Sequence, residues 1–150
     1  MKLEKEIQQK EFKNEFHKLA VNIIYTHSWL NSHQGQILNK YNLTPQQYNI
    51  LRILRGYHPK PATVSLLKER MLDKMSDASR LVERLRVKGL VNRKYCEKDR
   101  RRAEIVITKS GLEILSELDR LDKELEKLLS GISENEAHQV NNILDKMRGE

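Results

Sequence analysis

Apolar residues recur along this chain at steps of three, four and seven, the spacing that lines one side of an α-helix. From Glu4 to Asn31 they fall at Phe12, Phe16, Leu19, Ala20, Ile23 and Leu30, which predicts one long amphipathic helix. Asn31-Ser32-His33 interrupts that pattern, and Gly35 to Asn42 reads as a short second helix. Thr44-Pro45-Gln46-Gln47 then combines three start signals. They are a Thr N-cap, a proline at the first helical position, and a glutamine three residues on that closes a capping box. Tyr48, Leu51 and Leu54 form the inward stripe of this helix, and Gly56 is expected to end it.

His58-Pro59-Lys60-Pro61 predicts a stiff connection, because each proline fixes its own φ and biases the preceding residue away from helix. Thr63 caps the next helix, with Val64, Leu67 and Met71 inward. A turn through Leu72 and Asp73 leads to a helix predicted over Lys74 to Lys88, with Asp73 as its N-cap. Ala78, Leu81, Val82 and Leu85 lie on one side of it, and Gly89 supplies a left-handed cap after Lys88. The period then changes. Leu90 to Cys96 and Ala103 to Thr108 read as two strands of a hairpin, joined by the six residues Glu97-Lys98-Asp99-Arg100-Arg101-Arg102. Thr108 caps a long helix carrying Leu112, Leu115, Leu118, Leu121, Leu125 and Leu128. Ser133-Glu134-Asn135-Glu136 is a capping box for the last helix, whose inner residues are Val140, Ile143, Leu144 and Met147.

Two short helices, a ribbon and a third helix in that order make a winged helix-turn-helix. The fold class expected is mainly α with a small β-wing, the DNA-binding module occupying residues 43–110. Residues 1–42 and 111–150 carry apolar stripes that so small a module cannot cover. They are expected to form a helical dimerisation layer, since closed two-fold pairing is the commonest way to bury such stripes.

Charge sharpens this picture. Residues 68–109 hold fourteen Lys and Arg against seven Asp and Glu, while the remainder holds fourteen of each, so the whole net charge of +7 sits on the module. Localised positive charge releases counterions from DNA phosphates and is the main source of sequence-independent affinity. A chain of 150 residues buries roughly 70% of its unfolded surface, so it can fold without disulfides. The single Cys96 excludes an internal disulfide framework. No apolar run approaches the roughly 18 residues of a membrane span and no secretory leader is visible, so no membrane role and a cytoplasmic location are expected.

On the predicted helix from Lys74 to Lys88, Ser76, Ser79, Arg80 and Glu83 point away from the apolar stripe. Arg80 is the first choice for base contact, because its fork matches guanine O6 and N7. Arg84 is placed to touch phosphate or base, and Asp77 to accept from a cytosine amino group. Arg93, Lys94, Arg100 and Arg102 are candidate phosphate contacts.

These residues resemble the MarR family of bacterial transcriptional regulators over nearly the whole chain. The likeness rests on Ser79-Arg80-Leu81-Val82-x-Arg84-Leu85-x-x-Lys88-Gly89-Leu90-Val91, then Asp99-Arg100-Arg101, then Ile107-Thr108-x-x-Gly111. It implies a homodimer on a roughly palindromic double-stranded DNA operator, with the recognition helix in the major groove and the wing in the minor groove. It also implies Arg101 as the minor-groove residue, where a narrow A·T-rich groove attracts cations. Asp99 is expected to hold a neighbouring guanidinium. The segment Met71-Leu72-Asp73-Lys74-Met75-Ser76-Asp77 departs from the family's usual short apolar turn and Ser-Pro-Ser, because two acids flank the helix start. The family often places a small anionic or aromatic effector in a cleft beside the dimerisation helices, which Tyr25, Trp29 and Tyr48 are candidates to line.

Other signals change little. Cys96 lies near Arg93, Lys94 and Lys98, which favours a reactive thiolate, but the family's redox cysteines lie in the N-terminal helices. His17, His27 and His33 lack the separation of three or four that puts two ligands on one helical turn, so no metal is expected. With no phosphate loop or nucleophile motif, neither an enzyme nor a cofactor is expected. The competing reading is a winged-helix adaptor that binds protein instead of a specific DNA sequence.

Overall fold

The computed structural model describes residues 2–149, apart from the side chains of Arg100 and Arg101. It divides into two units, Met1–Ser116 and Glu117–Glu150. In the first, local side-chain caps set most helix boundaries. Helix α1 is a single turn, Leu3–Glu6, and α2 runs from Glu15 to Leu38. The single break expected at Asn31-Ser32-His33 is therefore displaced to residues 7–14. Gln8 is left-handed there, at φ 53°, and Asn14 starts α2 by accepting from the His17 amide. Across the expected break the helix is stitched to its preceding turn. Asn31 Nδ2 donates to His27 Nε2, and His33 Nδ1 to the Trp29 carbonyl, both at 2.9 Å.

A 3₁₀ turn, Asn39–Tyr41, follows, and the left-handed Asn42 closes it so that the Leu43 amide returns to the Leu38 carbonyl. Helix α3, Pro45–Tyr57, begins with the expected capping box formed in both directions between Thr44 and Gln47, and ends one residue beyond Gly56. Its inward residues Tyr48, Ile50, Leu51 and Leu54 are buried, and it packs on α2.

The proline-rich connection leads into a strand that the sequence did not reveal. Strand β1, Ala62–Thr63, pairs antiparallel with the later β3, Asp99–Ile107, which also pairs with β2, Val91–Cys96. The sheet order is β1-β3-β2. Two residues suffice because Ala62 buries its side chain while Thr63 caps α4, Val64–Arg70, through the Leu66 amide. Helix α5, Ala78–Val87, closes the module, burying Ala78, Val82 and Leu85. Helices α3, α4 and α5 pack on one another, α3 and α4 also touch β3, and α5 touches β2. Leu67, Met71, Val91, Ile105 and Ile107 complete this core.

Helix α6, Lys109–Leu118, leaves the module at a tight joint. Thr108 donates from its hydroxyl to the Gly89 carbonyl and accepts from the Gly111 amide, while its own amide donates to the Leu90 carbonyl. A Cβ on Gly111 would stand 2.5 Å from the Leu90 oxygen, so only glycine fits.

In the second unit, α7 is Arg120–Leu128 and α8 is Glu134–Met147. The single helix expected from Thr108 to Leu128 is thus interrupted at Asp119, whose φ and ψ nevertheless stay near helical values. The Ser133 and Glu136 capping box forms as expected and holds the Glu136 carboxyl below its ordinary value, first through the Ser133 amide. Leu121 is buried, whereas Leu129, Ile132, Val140, Ile143 and Met147 are exposed.

Candidate nucleic-acid interface

Burying Ala78, Val82 and Leu85 turns the opposite side of α5 outward, and that side carries Arg80 and Arg84 one helical turn apart. Both are exposed, as is Ser79 on the flank. The helix ends in two hydrogen bonds, from the Gly89 amide to the Arg86 carbonyl and from the Leu90 amide to the Leu85 carbonyl. Gly89, at φ 72°, makes this Schellman closure possible. Lys88 donates to the Asn42 carbonyl and, at 3.4 Å, to the buried Gln47 Oε1, so the end of α5 is tied to the start of α3.

The start of α5 differs from the sequence expectation. It is Asp77 that caps the helix, accepting from the Arg80 amide at 3.1 Å, and Lys74 to Ser76 lie in the preceding turn. Asp73 instead accepts from the Met75 amide at 3.0 Å. Its carboxyl is held below the ordinary aspartate value, chiefly by that amide and then by the hydroxyl of Ser76. Ser76 is consequently half-buried and sits ahead of the reading helix, and one oxygen of Asp77 is occupied by its cap. Two aspartates four residues apart compete for one cap. The winner leaves Ala78 at the first helical position, where it is buried.

Glu83, expected on the outward face, is a cross-brace. Its carboxylate accepts from Arg86 at 2.7 and 3.0 Å and pairs with Arg93 of β2 at 3.0 Å. The Arg86 guanidinium, assisted by Arg93, keeps the Glu83 carboxyl below its ordinary value, and Arg86 is raised in return. Arg93 also lies over the Tyr95 ring at 5.4 Å. It therefore joins α5 to the wing, while its neighbour Lys94 stays exposed.

The wing is not a six-residue loop. Cys96 pairs with Asp99 across a two-residue turn, Glu97-Lys98, and Tyr95 pairs with Ala103. The backbone of residues 100–102 has no counterpart on β2 and forms a bulge behind the tip. Arg102 is exposed. The side chains of Arg100 and Arg101, expected at phosphate and minor groove, lie outside the described residues. Asp99 opens β3, and Cys96 is a half-exposed free thiol.

Each member of the aromatic trio expected around an effector has its own surroundings. Tyr48 is buried, and Trp29 packs edge-on against His33. The Tyr25 hydroxyl donates to Glu6 at 2.7 Å, the bond that most raises its pKa. A cleft of about 440 Å³ opens elsewhere, between the start of α3 and the C-terminal half of α5. Its walls include Asn39, Leu43, Gln47, Arg84, Val87 and Lys88. Among the described residues, no helix is long and apolar enough to cross a membrane.

A helix-turn-helix with its outer face lined by arginine, beside a basic hairpin, places the chain in the winged helix-turn-helix class. Residues 41–102 match the sequence model of the MarR family. It is 24% identical over 132 residues to the HTH-type transcriptional regulator MhqR of Bacillus subtilis (strain 168), covering 87% of this chain and 89% of that protein. Among solved structures, it resembles a MarR transcription factor from Planctomyces limnophilus, with 26% identity and a TM-score of 0.70 over 90% of this chain and 98% of the other. The S. aureus MepR–DNA complex is similar too, with 25% identity and a TM-score of 0.75 over 91% and 97%.

Proposed function

We propose that two copies of this chain form a dimer that represses transcription by occupying a pseudo-palindromic site, with the half-sites about one helical turn apart. Arg80 and Arg84, exposed one turn apart on α5, which packs on strand β2 of the wing, carry this reading. Arg80 reads a base edge with Ser79 beside it, Arg84 and Lys94 hold phosphate, and the bulge delivers Arg101 to the minor groove with Arg100 and Arg102 on the backbone. Ser76, Asp77 and Arg93 support these contacts by shaping the turn and bracing the wing.

Dimerisation is supported by apolar residues that each unit leaves uncovered, Phe16 and Ile24 on α2 and Val140, Ile143 and Met147 on α8. A small anionic or aromatic effector in the cleft beside α5 would favour one separation of the two reading helices over another and release the DNA.

Selection of bound sequences from a random duplex library tests the reading. A symmetric motif with half-sites one turn apart is expected, and Arg80→Ala should lose about 1–3 kcal/mol of discrimination at one base pair. Failure to enrich any motif, together with affinity for random duplex that ignores salt, would leave an adaptor as the better description.

A further inference from the structure

We propose that Leu72 and Met75 read thymine methyl groups in the major groove, forming an apolar specificity contact just ahead of α5. This rests on the DNA-reading function above and adds the kind of base that is read.

Leu72 is 88% exposed and Met75 93%, the highest values among the large apolar side chains of the described residues. Isolated apolar side chains on a surface need no explanation. These two share one turn, and the backbone beneath them is fixed. The Leu72 amide donates to Asn49 Oδ1 at 2.9 Å, the Met75 amide to Asp73 Oδ1 at 3.0 Å, and the Ser76 amide to the Asp73 carbonyl at 3.3 Å. The Lys74 ammonium bonds the Glu69 carbonyl. Fixed amides beneath solvent-facing apolar side chains present those side chains without a further ordering cost.

Packing does not require either residue. Met71 and Ala78, at the two ends of the segment, already fill the core and are buried. A polar side chain at 72 or 75 would serve the fold equally well. The position has a use in recognition, however, because the turn that leads into α5 adjoins the N-terminal residues with which such a helix meets base edges. Thymine alone among the bases offers a methyl group in the major groove. The unbranched thioether of methionine adapts to such a surface without a fixed geometry. Asp73, between the two apolar residues, and Asp77, just after them, each place an oxygen on a backbone amide, so they shape the turn that carries the pair.

The test uses the full chain and a duplex selected from a random library, prepared once with thymine and once with deoxyuridine, which lacks only the methyl. The wild-type protein should bind the deoxyuridine duplex about fourfold more weakly for each methyl contacted, the effect of removing one buried methyl-sized group. Leu72→Ala and Met75→Ala should each weaken binding to the thymine duplex and shrink the difference. The double variant should bind both duplexes equally, with an unchanged melting temperature. A wild-type protein indifferent to the methyl, or a double variant that keeps the full ratio, overturns the contact. A double variant that keeps the ratio and changes sedimentation mass also overturns it, assigning the pair to a contact between copies. Binding to neither duplex defeats the DNA-reading function itself, a result distinct from equal binding to both.

Discussion

The module from Leu43 to Gly111 and the unit from Glu117 onward are both rich in leucine and isoleucine, yet they use them oppositely. In the module Leu43, Ile50, Leu51, Leu54, Leu67, Leu85 and Ile105 are all essentially inaccessible to water. In the second unit Leu118 and Leu121 are buried, while five large apolar side chains on and around α8 are exposed. One region closes a core and leaves Leu72, Met75, Val87 and Tyr95 outside it; in the other, most of the large apolar side chains just counted are still to be covered. A periodic stripe therefore locates a helix's sticky side without saying whether the same chain supplies what sticks to it.

Two changes probe that contrast. Leu85→Ala, in the module, should cost about 2–5 kcal/mol, because the removed atoms leave a cavity among α3, α5 and β2. Ile143→Ala, at a position 56% exposed, should stay within about 0.5 kcal/mol for the isolated chain. Chemical denaturation at several protein concentrations checks both, and the Ile143 variant should differ from wild type only where association contributes. Equal losses at the two sites, independent of concentration, would erase the distinction.

Gly111→Ala should cost about 1–3 kcal/mol, since the new methyl is driven against the Leu90 carbonyl and Ile107. A thermal melt reads this loss, whereas a melt unchanged by the methyl would show that the joint has slack. Smallest is Glu83→Gln, which removes a partly exposed brace and should barely move the melt. Its effect should appear as faster amide exchange in β2 and β3. The brace also has a pH signature. The folded carboxyl titrates below the ordinary glutamate value of 4.5, so the brace is intact above that pH and is lost as pH falls through the lower folded value. Wing protection should fall in that acid range for wild type and be indifferent to it in the variant.

Much of this architecture was legible because its signals are local. Thr44 with Gln47, Thr63, Gly89, Thr108 and Ser133 with Glu136 each act on an amide or a backbone angle within a few residues, and each formed as the sequence predicted. What escaped depended on distant partners or on competition. Strand β1 exists because β3 offers Ile105 and Glu104 as an edge, which Ala62 and Thr63 do not announce by themselves. The start of α5 was misplaced because Asp73 and Asp77 are chemically alike, and the choice between them depends on burial of Ala78. Glu83 looked like one more outward acid until the hairpin brought Arg93 to it. The exposure of Leu72 and Met75 had no sequence signal, since apolar residues in a turn read equally well as core.

The joint at Thr108 and Gly111 has a mechanical consequence. Two hydrogen bonds and one bare Cα hold the root of α6 against the residues that end α5 and begin β2. A twist applied to the first turn of α6 is therefore passed straight to Gly89 and Leu90, between α5 and β2.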